Sequence, residues 1–299
     1  VNPSVLGSTG MDTTAVLLAT ALASCLGTLC MAFMANLPFA LSAGMGLNAF
    51  MAYTVVAGYG YSWQVALLAV FIEGLIFIVL SLTNIREAIF NAIPLTLKKG
   101  VSVGIGLFIA FIGLQNSGLC VDSATLVGII SFPENFHTAG ICALLTLIGL
   151  FFTAVFYTRK MKGAILYGIL LTWILGMLCQ VTGLYVPTPD AGFYSLFPSW
   201  GMTDFSKLGL TFGQCFNVDF SAVGIVNFIV VIFSFLFVDI FDTLGTLIGV
   251  ATKAKMLDKD GKLPGIKPAL LADSIATSAG AILGTSTTTT FVESASGVA

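Results

Sequence analysis

Apolar residues in this chain come in unbroken blocks of about twenty, and polar residues collect in the gaps between them. A block of about that length is what an α-helix needs to cross ~30 Å of hydrocarbon. Such blocks occupy residues ~12–35, ~62–83, ~100–116, ~139–157, ~163–183, ~222–250 and ~268–283, with Asp12 placed to cap the first. Two further stretches are interrupted. Residues 36–60 are apolar but carry Pro38, Gly44, Gly46 and Asn48 in their middle. Residues 284–297 carry four threonines, Thr287–Thr290, then Phe291 and Glu293. β-Branched polar residues favour extended backbone, so this piece reads as a strand leading into a half-helix. Backbone freed at membrane depth is tolerated only where it lines a cavity or is buried in protein. Two broken segments far apart point to two halves of a repeat meeting at one site.

The gaps carry their own signals. Residues 84–99 form an amphipathic connection that leads through Pro94 into the third block, where Gly100, Gly104, Gly106 and Gly113 suit close helix packing. The GxG at 104–106 has no βαβ context and is no nucleotide fingerprint. Residues 184–221 read as an amphiphilic stretch along the surface. Arg86, Lys98, Lys99, Arg159, Lys160, Lys162, Lys253, Lys255, Lys259, Lys262 and Lys267 all fall in alternate gaps, leaving only Lys207 on the other side. Those gaps are cytoplasmic by the positive-inside rule.

Composition agrees. Of 299 residues 57% are hydrophobic and 9% charged, with a mean hydropathy of +1.02; a soluble domain carries roughly 25% charged residues. The chain is therefore an all-α polytopic protein of the cell membrane, with the lipid bilayer as its solvent. A net charge of −2 without a basic patch excludes nucleic acid as a partner. The six cysteines form no CxxC pair and read as small core residues, not as a metal site or a disulfide framework. The chain opens at Val1 without an initiating Met, which reads as an internal piece of a longer protein.

The organising stretch is the block at ~222–250. Asp239, Asp242, Thr243 and Thr246 stand at i, i+3, i+4 and i+7, one polar stripe on a greasy rod. A carboxylate at bilayer depth costs at least ~2.5 kcal/mol, so these acids need water, a cation, a proton or a substrate. Glu293 would sit at the positive dipole end of the second half-helix, where a polar ligand also fits. Glu73, in mid-span, reads as a packing or interdomain hydrogen bond. His137 reads as a surface histidine.

Three motifs, GMGLNAFMAYTV from Gly44, FVDIFDTLGTLIGVA from Phe237 and TSTTTTFVESASG from Thr285, carry a resemblance. Together they resemble the hypoxanthine/guanine/adenine permeases, a branch of the nucleobase–ascorbate (xanthine/uracil permease) superfamily. The resemblance covers essentially the whole chain. It implies fourteen spans in two inverted seven-helix repeats, with short β-strands facing each other in spans 3 and 10. On that template residues 1–83 are core domain (spans 2–4), 84–221 gate domain (spans 5–7) and 222–299 core again (span 8 into span 10). It implies that Asp239, Glu293 and Asn48 bind substrate, and that Asp242, Thr243, Thr290 and Phe291 serve proton coupling or support the site. It implies no cofactor beyond a coupled proton, and leaves a homodimer open. FVDxFDT and GLNAF lean towards the guanine/hypoxanthine members. Carboxylate chemistry agrees: the group only accepts, and can take two parallel N–H bonds. Guanine offers N1–H and a 2-amino group on one edge, hypoxanthine N1–H, and neutral adenine no N1–H. Phe50, Phe241 and Phe291 are placed to stack on a base.

Two other classes compete. An intramembrane aspartyl protease needs two acids on different helices sharing a proton, whereas Asp239 and Asp242 share one helix. An anion transporter, or a uracil/xanthine transporter, of the same superfold is the other; acids in the site repel anions, and span 8 of the uracil and xanthine branches typically carries Glu.

Overall fold

The computed structural model describes residues 1–83, 85–123, 126–198, 201, 203–219, 223–258 and 263–298. Lys259 and Lys262 of the charge pattern lie outside them, as does the side chain of Lys98. The chain divides into two compact units, Val1–Ile105 with Thr203–Ala299, and Gly106–Met202. The second is shorter than the 84–221 segment that the resemblance assigns to a gate.

The first unit opens with α1 (Asn2–Gly7) and α2 (Thr13–Cys30). Asp12 caps α2, accepting from the amides of Thr14 and Ala15 at 2.9 Å each. This satisfies donors that a helix start leaves open. A π-helical turn, Met31–Ala35, extends α2 and stops at Asn36, whose φ of 53° is left-handed. Asparagine is one of the few side chains that enters that region readily.

The first interrupted segment then behaves as its sequence implies. It forms strand β1 (Leu41–Ala43), the short helix α3 (Met45–Ala49) and a π-helical run, Phe50–Gly58. α4 (Trp63–Leu82), α5 (Ile85–Ala92) and α6 (Leu95–Asn116) follow. Later in the chain come α10 (Ile225–Lys253), α11 (Ile266–Leu283), β4 (Thr288–Thr290) and α12 (Ser294–Gly297). Gly284 turns the chain from α11 into the second broken segment with φ 99°, a conformation that favours glycine.

β1 and β4 pair antiparallel, with Leu41 opposite Thr290, Ser42 opposite Thr289 and Ala43 opposite Thr288. The amide of Gly44 donates to the carbonyl of Thr287 (3.1 Å) and that of Phe291 to Ala40 (2.9 Å), which lengthens the ladder at both ends. Backbone without helical partners is thereby satisfied inside protein. Thr287–Thr290 are all buried. Apolar side chains of this unit pack in two clusters, Leu47, Val70, Phe77 and Phe235 in one and Met31, Leu41, Leu247 and Ala269 in the other.

The second unit contains strands β2 (Val121–Ser123) and β3 (Leu126–Gly128), and helices α7 (Phe132–Asn135), α8 (Ile141–Thr158) and α9 (Ala164–Val181). A π-helical turn joins α7 to α8. α8 and α9 pack through reciprocal glycine–threonine contacts, Gly149 under Thr172 and Gly168 under Thr153. Small residues that let backbones approach are the usual device where lipid offers no hydrophobic drive. Among the described residues seven helices are long and apolar enough to cross a membrane. The broken segments supply none of the seven, since β1 and β4 interrupt them.

Three expectations need correction. Among the described residues the glycines of α6 meet no tight crossing: a Cβ at Gly100, Gly104, Gly106 or Gly113 has nothing within 4 Å. The stretch from residue 184 does not lie wholly on the surface. Thr211 Oγ1 donates to the carbonyl of Leu283 (3.1 Å), the Gly213 amide donates to that of Ile282 (2.7 Å), and Cys215 is buried. Carbonyls at a helix end need such donors, and this loop supplies them to α11. Arg86 is not a loop charge; it lies on α5 and is 3% exposed.

Candidate functional site

The polar stripe of α10 turns out to face two different surroundings. Asp239 and Thr243 are fully buried towards α11 and β4, whereas Asp242 is half-buried towards Gly44. Thr246 donates to carbonyls of its own helix, at Asp242 (2.9 Å) and Thr243 (3.1 Å), and so offers its hydrogen to no ligand.

Around Asp239 the structure assembles residues from four elements. Thr243 Oγ1 lies 3.1 Å from Asp239 Oδ1, 3.2 Å from Asp273 Oδ2 and 3.1 Å from Thr289 Oγ1. Asp273, on α11, also accepts from Thr289 Oγ1 (3.0 Å) and from the Thr290 amide (3.2 Å), which fixes the second broken segment to the helix. Arg86 reaches in from α5, 2.9 Å from Asp273 and 3.5 Å from Asp239. Its guanidinium carbon stands 4.0 Å from the centre of the Phe77 ring, a cation–π distance. Buried charges persist only when paired and hydrogen-bonded, and this cluster provides both.

The other expected site residues lie around this cluster. Asn48, 1% exposed, accepts through Oδ1 from the Ser286 hydroxyl, so α3 is tied to the run leading into β4. Glu73 accepts from Thr287 Oγ1 at 3.2 Å. Both partners belong to the first unit, so this bond packs α4 against the approach to β4. Thr290 is buried, and Phe291 is half-buried with its amide on Ala40. Phe50 packs edge-on against Phe235 and Phe241 packs on Phe237, each with ring centroids 4.9 Å apart. Glu293 is exposed at the start of α12.

Unpartnered atoms locate the open chemistry. Among the described residues, buried polar side-chain atoms without a hydrogen bond include Asn48 Nδ2, Glu73 Oε1, Asp239 Oδ2 and Thr290 Oγ1. A donor and three oxygens left open around the two paired strands is costly, about 1–3 kcal/mol for each unsatisfied group, and far above what packing alone requires. Sequence reasoning missed Arg86 and Asp273. The rule that singled out Asp239 applies equally to Asp273, an acid in the middle of an apolar span. Arg86 is hidden by its polar neighbours.

Buried acids around broken backbone, in a protein of many apolar helices, belong to a multi-pass permease. The chain is a member of the xanthine/uracil permease family, a family of permeases and not of enzymes, whose model matches residues 1–299. It is 47% identical over 300 residues to a protein of Methanocaldococcus jannaschii described as a permease, covering 100% of this chain and 64% of that one. It is 47% identical over 290 residues to the guanine/hypoxanthine permease PbuG of Bacillus subtilis (97% and 61% covered). It is 38% identical over 302 residues to the adenine permease AdeP of Escherichia coli (100% and 62% covered). The chain thus spans less than two thirds of the length of each of these relatives.

Proposed function

We propose that the intact protein is a secondary permease that imports purine nucleobases, guanine and hypoxanthine ahead of adenine, together with protons. The observation that carries this reading is Asp239 Oδ2, a buried carboxylate oxygen beside the paired strands with no hydrogen-bond partner among the described residues. An acceptor of that kind suits the N–H edge of a neutral heterocycle, and relatives named for guanine, hypoxanthine and adenine support the class. On this reading Asn48 Nδ2 donates to a base carbonyl or ring nitrogen, and Glu293 approaches from α12 as the second acid. Asp242 and Glu293 carry the coupled proton between them. Thr243 orients Asp239, while Thr290 and Phe291 close the site.

The wider arrangement is part of the proposal. Residues 1–83 and 222–299 form core domain, residues 84–221 form gate, and the whole protein has fourteen spans in two inverted repeats. The antiparallel pairing of a strand from each broken segment is what such a pseudo-twofold relation asks for. The test is purine binding and radiolabelled uptake by the intact protein carrying Asp239→Asn or Glu293→Gln. Each amide keeps the volume and loses half the acceptor capacity, so each should abolish binding while the protein stays in the membrane. Unchanged affinity in both would overturn the assignment.

A further inference from the structure

The guanidinium of Arg86 gives Asp239 a charge without giving it a hydrogen. Nη1 donates to the Leu270 carbonyl (2.9 Å) and to Ser274 Oγ (2.7 Å). Nη2 donates to Asp273 Oδ2 (2.9 Å) and to Thr243 Oγ1 (3.3 Å). Each Nη carries two hydrogens, so all four are committed. Asp239 Oδ2 sits 3.5 Å from Nη2, within ion-pair range, yet is buried and accepts no hydrogen bond among the described residues.

Its neighbour is in the opposite condition. Asp273 draws donors onto both oxygens, from Arg86 onto Oδ2 and from Thr289 and the Thr290 amide onto Oδ1. One carboxylate of the pair is therefore saturated and the other left open, although both share one cation.

Resting on the reading of Asp239 as the acceptor for the base, we propose that Arg86 is a positioning residue for substrate binding. Locked to Asp273, it sets a fixed positive charge beside Asp239 and leaves Oδ2 uncommitted. The ligand then supplies the hydrogen and the protein the charge. That division favours a neutral N–H donor over a cation, because a cationic ligand would meet the guanidinium already in place. A merely structural Arg86 would serve as well with its hydrogens on Asp239.

The experiment measures equilibrium binding of guanine and hypoxanthine, with thermal stability alongside, in the intact detergent-solubilised protein. Arg86→Gln should weaken binding at least about tenfold and lower the melting temperature, since it strands a buried charge. The double variant Arg86→Gln/Asp273→Asn replaces the ion pair by neutral amides. It should recover stability and remain at least about tenfold weak in binding, because Asp239 still lacks its cation. A double variant that binds like the wild type would overturn the proposal. Arg86→Lys keeps the charge and loses the fork. It should cost stability yet bind within a fewfold of the wild type, and a folded Arg86→Lys protein as weak as Arg86→Gln also overturns the proposal. That variant decides the matter if the double one does not fold. Asp239→Asn separates the two levels. Full binding there means that Asp239 is not the acceptor at all; lost binding there, with a fully binding double variant, means that only the role of Arg86 is wrong.

Discussion

Gly74→Ala should destabilise the protein through backbone and not through side chains. Gly74 lies where α4 crosses α11. A Cβ there would meet the Ser278 hydroxyl, which can rotate away, and also Ser278 N at 2.9 Å and Cα at 3.1 Å, which cannot. Carbon contacts are at rest near 3.5–4.0 Å, so the two helices must part by roughly 0.4–0.9 Å. Overpacking of this kind costs about 1–3 kcal/mol. The better helix propensity of alanine returns about 1 kcal/mol, leaving a net loss of up to about 2 kcal/mol. The parting also stretches the bond from Thr287 to Glu73, the residue before Gly74, so purine affinity should fall with stability. The assay is thermal unfolding of the intact protein in detergent, with Gly104→Ala as control. Nothing lies within 4 Å of a Cβ at Gly104, so that variant should be neutral or slightly stabilising. Adding Ser278→Ala to Gly74→Ala should restore little, because backbone remains in the way. Equal melting temperatures for the two glycine variants, or full recovery with Ser278→Ala, would refute the reasoning.

Two other outcomes follow from particular contacts. Asn48→Ala leaves the Ser286 hydroxyl without its buried acceptor, a cost of about 1–3 kcal/mol, and should reorder the ranking of competing purines in uptake assays. A uniform loss for every base would make Asn48 structural. The Asp12 carboxyl is held below its usual range, chiefly by the Ala15 amide and to a lesser extent by Lys207 at 3.2 Å. A depressed folded value means the stabilisation is present above about pH 3.9, the unfolded value, and is lost as pH falls through the folded one. Asp12→Asn should therefore melt earlier than the wild type at pH 7, with the gap closing as pH falls through the folded value, and a gap independent of pH would count against a role for the Asp12 charge.

The parts of this fold that read directly from sequence are those where local chemistry leaves one choice. Pro38 and Gly44 break an apolar run, and four threonines in a row resist helix, so the break before α3 and the strand β4 were legible, as was the isolation of Asp239 among apolar residues; β1 itself came only from the resemblance. What could not be read was which partners tertiary packing would bring. Arg86 stands beside Asn84 in a polar connection, and nothing in that stretch says that Asp239 and Asp273, about 150 to 190 residues later, will draw it inward. The glycines of α6 have the spacing of a tight crossing, but spacing supplies no opposing helix. The loop that caps α11 looked amphiphilic because its polar groups serve a helix end that is itself distant in sequence.

The β1–β4 pairing has a consequence for how the protein is made. Ser42 and Thr289 face one another across about 250 residues of chain. At roughly 5–20 residues per second, a ribosome needs on the order of 12–50 s to produce the second strand after the first. Throughout that interval β1 sits in or beside the bilayer with no complement for its amides and carbonyls, a state that hydrocarbon penalises heavily. Closure of such a long loop also comes late, after the local helices have formed. The nascent protein therefore passes through a long-lived, half-open species whose exposed strand edge invites the wrong neighbour. Substitutions that slow synthesis downstream of residue 60 should reduce yield more than the stability of the finished protein would suggest.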